Sequence, residues 1–213
     1  MKKVLLSMTV LAFLAACQSA PEGENAATGE TQTVATDSTG TVYQLDLATS
    51  TVGFLGSKPV GTHAGEFKLT EGSLTIANGN ISAGNFTMDM KSLVIKDADT
   101  NGAYKLVGHL LSPDFFDAAK FGTAKFAVTA CEAMPAGDST GTHKISGNLT
   151  LKDSTKNVSF PAKVTVSDAG VTATASFNID RTQWGLFYGN DKSLGDKFIY
   201  PEVKITLNIA GKK

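Results

Sequence analysis

Five runs between residues 86 and 209 repeat with a period of two. Phe86, Met88 and Met90 alternate with Thr87, Asp89 and Lys91, and Ile145, Gly147, Leu149 and Leu151 alternate with Ser146, Asn148 and Thr150. Val158, Phe160, Ala162, Val164 and Val166 form a third run, Val171, Ala173, Ala175, Phe177 and Ile179 a fourth, and Val203, Ile205, Leu207 and Ile209 a fifth. Period two is the side-chain repeat of a β-strand with one apolar and one polar face, and a helix cannot use it. Shorter candidates are Tyr43–Leu47, Thr51–Leu55, Gly65–Leu69, Ser73–Ala77 and Ala124–Ala130. The expected turns are Glu71-Gly72, Asn78-Gly79-Asn80, Asp153-Ser154 and Asp168-Ala169-Gly170.

Eight to ten such strands without a βαβ rhythm predict an all-β fold, a sandwich or a closed barrel. Long amphipathic strands favour an antiparallel barrel of about eight strands, because closure removes exposed edges. The chain is 42% apolar and 18% charged, enough for one core, and its net charge of −1 supplies no basic field for nucleic acid. His63, His109 and His143 are far apart, as are Cys17 and Cys131, so no metal-ligand spacing arises.

Periodicity does not say which face of the barrel points outward; the N-terminus decides. Lys2 and Lys3 precede an apolar run, Val4 to Ala16, that is too short to span a bilayer comfortably. Leu14-Ala15-Ala16-Cys17 is similar to a bacterial lipobox, so residues 1–16 are expected to be a signal peptide and Cys17 the lipidated N-terminus. Gln18 in place of Asp favours the outer membrane, facing the periplasm, and Glu22 and Glu24 leave surface exposure open. Residues 18–41 contain no aromatic residue, Lys or Arg and read as a disordered tether with an average reach of roughly 25–30 Å. A domain of residues 42–213 held by acyl chains has no need to insert its strands. Its polar face is therefore placed outside and its apolar face in the lumen.

A barrel of about eight strands is either filled by side chains or holds one small ligand. The candidate lumen residues are Phe86, Met88, Phe116, Phe126, Phe160, Ala173, Ala175 and Phe177. The small residues Gly147, Ala162, Ala173 and Ala175 either leave space or let a neighbouring segment pack closely. Leu106 to Phe126 interrupts the strand pattern. Ala103, Leu106, Val107, Leu110 and Leu111 fall on one helix face, and Pro113 stops that helix at Leu111. Ser112-Pro113-Asp114 predicts a second short helix, so the pair would cover one side or mouth of the barrel and act as a gate. Arg181 and Trp184 are the candidate mouth residues, with an Asp180–Arg181 turn ion pair as the competing reading. No phosphate-cradling Gly loop or calcium-loop spacing is present, so the chain reads as a non-enzyme.

Gly108-His109-Leu110-x-Ser112-Pro113-Asp114-Phe115-Phe116-Asp117 resembles the signature of the YceI-like family. Tyr43-x-Leu45-Asp46 with Ser50-x-Val52-x-Phe54, His63-x-Gly65-x-Phe67, Gly147-x-Leu149-Thr150 with Thr155 and Val158, and Asp180-Arg181-x-x-Trp184-Gly185 resemble its opening strands, second segment, internal hairpin and late turn in the same order. The chain departs from the pattern at Phe121-Gly122 and at Asp153-Ser154. The resemblance implies a lipocalin-like barrel that binds a polyisoprenoid, such as an isoprenoid quinone or a polyprenyl phosphate, for carriage or storage and without any other cofactor. A ligand-free structural or interaction barrel of the envelope is the alternative, and a homodimer is left open.

Overall fold

The computed structural model describes residues 19–37 and 39–213; the expected signal peptide and Cys17 lie outside the described residues. Ten strands follow in order: β1 (Ala27–Gly29), β2 (Thr41–Leu45), β3 (Thr51–Lys58), β4 (Gly61–Ala77), β5 (Asn80–Ile95), β6 (Thr123–Ala133), β7 (His143–Leu151), β8 (Ser154–Ser167), β9 (Gly170–Asp180) and β10 (Glu202–Lys212). A helix, α1 (Thr100–Leu111), follows β5, and two 3₁₀ turns, Arg181–Trp184 and Lys192–Lys197, separate β9 from β10.

Every strand-to-strand ladder is antiparallel, and β3 through β10 close an eight-stranded barrel. β2 and β3 together make one interrupted stave between β4 and β10. β3 pairs with the first half of β4 and with Lys204–Asn208, whereas β2 pairs with Ser73–Ile76 and the end of β10. Ser50 splices the break: its Oγ donates to the Ala210 carbonyl and accepts from the Ala210 N–H.

The predicted phase is the observed one. Phe160, Ala162, Phe177, Ile179 and Ile209 are buried, and their alternating neighbours form the outer face. On that face cross-strand hydroxyls pair directly, Ser146 with Ser159 at 2.6 Å and Thr150 with Thr155 at 2.9 Å. The Asn78-Gly79 turn takes positive φ at both residues, as a two-residue hairpin requires.

Three expectations fail. Glu71-Gly72 is not a turn. Gly65–Leu69 and Ser73–Ala77 are one long strand, β4, and the register slips between Leu69 and Glu71. Thr70 is the residue bulged out, while Gly72 stays in register with Phe86; the Leu45 and Phe86 side chains lie 3.0 Å from where a Cβ would sit, so this glycine serves close packing within a strand and not a chain reversal.

The second helix does not form. α1 is capped by Asp99, whose carboxylate accepts from the Gly102 N–H, and it ends at Ser112. Ser112 Oγ then turns back to the His109 carbonyl, and Asp117 takes a left-handed φ of 46°, so residues 112–120 form successive turns.

The disordered tether is corrected over residues 21–35. β1 pairs antiparallel with Asn157–Ser159 of β8, while Asn25 forms a parallel bridge to Asn178 of β9. This segment fills a split in the barrel wall. The β8–β9 ladder stops at Lys163 and Thr174. The Ala162 carbonyl accepts from Thr142 on the β7 side, so the next residue back, Pro161, faces β9 without an N–H to donate. Below it the two strands part and offer open backbone edges. The segment buries little apolar surface, as its composition predicts, but backbone hydrogen bonding to those edges holds it. It continues around the barrel through Gln32 to Asn148 and from the Ala35 N–H to the Val128 carbonyl.

Candidate ligand-binding lumen

The apolar faces of the strands enclose a cavity of about 500 Å³. Ligand pockets of proteins commonly have volumes of about 300–1,000 Å³. All eight candidate lumen residues line it: Phe86, Met88, Phe116, Phe126, Phe160, Ala173, Ala175 and Phe177. Phe86, Phe126, Phe160 and Phe177, on β5, β6, β8 and β9, form a row that passes over β7, with ring centroids 6.3, 6.0 and 3.9 Å apart; the last pair is stacked and bridges the β8–β9 split from inside. Leu74, Ile81, Val128, Ile145 and Ile209, all buried, form the far end.

The small residues divide between the two readings. Gly147 leaves no space: a Cβ there would lie 2.1 Å from the Phe126 ring, so this glycine exists to let Phe126 lie across β7. Gly65 does the same for the Phe54 ring. Ala173 and Ala175 line the open cavity.

The β3–β4 hairpin, the end of β5, the start of β6 and the end of β9 mark one end of the barrel, and here the cavity opens among Lys58, His63, His109, Tyr188 and Lys197. The apolar stripe of α1 roofs this mouth through Leu106 and Leu110, joined by Phe115 and Phe116 from the turns after it. His109 meets Phe115 and Tyr188 edge-on, with centroids 5.1 and 4.6 Å away, and its Nε2 lies 3.5 Å from Asp114. His63 Nδ1 lies 3.5 Å from Asp97. Neither histidine was singled out as a site residue from the sequence. The signal for His63 is its phase, since His63, Gly65 and Phe67 sit two apart on the lumen side of β4.

Of the two expected mouth residues, Arg181 reaches the lumen wall and Trp184 does not. Trp184 is 1% exposed, and its indole N–H donates to the Leu149 carbonyl at 2.9 Å, which makes it an end plug of the core. Arg181 is buried. Its Nε donates to the Tyr200 carbonyl at 3.2 Å, one Nη to the Ile199 carbonyl at 2.9 Å and the other to the Leu186 carbonyl. Burial pulls the guanidinium below its ordinary value, and the charge of Asp180 opposes that pull. Asp180 itself turns to Thr182, accepting from its N–H and its hydroxyl, so Arg181 ties down the loop from Leu186 to Tyr200 and the pair is not a simple turn ion pair.

The arrangement can enclose an apolar chain and leave a polar end among the imidazoles and lysines of the mouth. Among the described residues no group of three or more His, Cys, Asp and Glu side chains could hold a metal ion, and no helix is long and apolar enough to cross a membrane. Cys131 is half-buried on β6, and burial pushes its thiol pKa up, away from reactivity.

No curated protein matches the chain. Among solved structures, BcnA of Burkholderia cenocepacia superposes with a TM-score of 0.63 at 22% identity, over 78% of this chain and 98% of its own. A polyisoprenoid binding domain from Saccharophagus degradans, implicated in plant cell wall breakdown, superposes with a TM-score of 0.58 at 17% identity, over 80% and 97%. The Campylobacter jejuni YCEI protein gives 0.52 at 17%, over 70% and 84%. These likenesses carry the fold. The YceI-like domain model matches residues 43–210, almost the whole barrel. The chain therefore belongs to the YceI-like family.

Proposed function

We propose that this chain is a non-catalytic carrier or store for a long-chain isoprenoid lipid, held in the barrel lumen at the bacterial envelope. The observation that carries this reading is the lumen itself, a cavity of about 500 Å³ walled by the Phe86–Phe126–Phe160–Phe177 row, Met88 and two alanines. Such walls suit a long, featureless hydrocarbon, because aromatic and thioether side chains adapt to it without demanding hydrogen bonds. The named ligand of the Saccharophagus degradans neighbour points the same way. An isoprenoid quinone or polyprenyl phosphate would place its chain in the lumen and its polar end near His63 and His109. Acylation at Cys17 would hold the protein on the outer membrane, facing the periplasm.

Solvent extraction of the purified full-length chain, followed by mass spectrometry, tests the reading. A prenyl lipid at near one-to-one stoichiometry is the expected result. A chain that carries no lipid and takes none up from detergent solution would favour the alternative of a ligand-free envelope barrel.

A further inference from the structure

The chain enters the barrel close to its mouth. The Asn178 carboxamide donates to the carbonyls of Pro21 and Gly23 at 2.9 and 3.4 Å, and its backbone N–H donates to the Glu24 carbonyl at 2.8 Å. Asn178 is two residues from the mouth end of β9, about 7 Å at strand spacing, and eight residues from Gly170 at the other end, about 27 Å. Cys17 precedes Pro21 by four residues, which span at most about 14 Å. An acyl anchor at Cys17 would therefore have the mouth plane within its reach and the far end beyond it. The strap along β8 and β9 turns a tether of free reach into a short leash with a direction.

The rim that this leash holds near the bilayer is apolar. Phe187, Tyr188 and Leu194 are 61%, 45% and 44% exposed on the loop after β9, Val60 is 58% exposed on the β3–β4 turn, and Tyr104 is 81% exposed on α1. The three segments are joined at the mouth. The Tyr188 ring rests on His109 of α1, and the Ile199 and Tyr200 N–H groups donate to the Gly189 and Ser57 carbonyls. The same segments carry Lys58, Lys105, Lys192 and Lys197 against Asp99, Asp114, Asp191 and Asp196, so attraction to anionic lipid nearly cancels. Apolar insertion is the interaction this surface offers.

We propose that the mouth rim is a membrane-docking surface, seated on the same bilayer that holds the Cys17 acyl chains. The proposal rests on the lumen and anchor readings above and adds a geometry: the lumen opens onto the lipid, and an isoprenoid passes between bilayer and barrel without crossing water.

The test uses the full-length acylated chain in phosphatidylcholine vesicles, in a Cys131→Ser background. An environment-sensitive label is placed at Leu194→Cys or, as the far-end control, at Ala169→Cys. Nitroxide-bearing lipids are expected to quench the label at 194 several-fold more than the label at 169, with little change on adding salt or phosphatidylglycerol. Equal quenching, no quenching, or a chain that stays off the vesicles overturns the proposal. Tyr104→Ser with Phe187→Ser is expected to slow transfer of a fluorescent prenyl lipid from vesicles by about tenfold, with affinity in detergent solution unchanged. Unchanged transfer also overturns docking. A wild-type chain that binds no prenyl lipid in detergent would instead overturn the lumen reading, while the quenching pattern still decides the orientation.

Discussion

Replacing Arg181 with Met should loosen the mouth while leaving the barrel standing. Met keeps most of the apolar stem and removes the charge and its donors. Three carbonyls lose their partner: Leu186, Ile199 and Tyr200, all on the loop that frames the lumen opening. Hydrogen bonds to a charged group are worth about 1.5–3 kcal/mol each, and three at face value exceed the net effect. Two terms offset part of that: the desolvation cost of a buried guanidinium disappears, and the freed carbonyls near the surface can turn to water. A net loss of about 2–4 kcal/mol follows. With a urea slope of about 2 kcal/mol/M, the unfolding midpoint falls by about 1–2 M. Because all three acceptors sit between residues 186 and 200, amide hydrogen exchange should accelerate there first and most, with β6–β8 protected as before. A midpoint within about 0.3 M of the parent, together with unchanged exchange across 186–200, would refute the reasoning and make Arg181 a passive wall residue.

Other predictions concern the cavity, the gate and the strap. Ala175→Phe places an aromatic ring in the open lumen; prenyl-lipid uptake, measured by fluorescence displacement, should fall at least about tenfold while stability changes by less than about 1 kcal/mol or rises, since the new side chain buries apolar surface without strain. His109→Cys with Tyr188→Cys in a Cys131→Ser background, at positions whose rings now pack 4.6 Å apart, should accept a short reducible bis-thiol cross-linker and exchange lipid more slowly until it is reduced; equal exchange in both forms would make α1 plain scaffold. The Asp37 carboxyl, lowered to a pKa of about 2 from the ordinary carboxylate range chiefly by the Thr39 N–H and hydroxyl, fastens the corner where the strap turns into β2. A depressed carboxylate stabilises above its unfolded pKa and loses that contribution as pH falls toward its folded value. The Thr39 and Gly40 amides should therefore lose protection between about pH 4 and pH 2, as read by hydrogen exchange.

The barrel was legible because its strands are amphipathic with one phase each, and period two allows no other placement for runs such as Val171–Ile179. Seven of the eight lumen residues followed from that phase once the apolar face was placed inside, whereas Phe116 lies in the turns after α1. What stayed hidden has a different cause in each case. Glu71-Gly72 carries turn chemistry, yet Gly72 makes room for Leu45 and Phe86 within a strand, and sequence alone does not separate the two uses of glycine. Ser112-Pro113-Asp114 begins like a helix, but the left-handed Asp117 ends it. Trp184 was aromatic in a turn region, and only the position of the Leu149 carbonyl makes it core. The strap was invisible because backbone groups hold it, and the wall split it fills arises from Pro161 far away in sequence.

The central claim is that the lumen is the binding site, and photo-cross-linking tests it most directly. A prenyl lipid with a photoreactive group in its hydrocarbon chain, irradiated with the full-length protein and mapped by mass spectrometry, should mark Phe86, Met88, Phe160 and Ala175. Adducts confined to the outer face, at residues such as Thr172 and Ser176, or no adducts at saturating lipid, would contradict it.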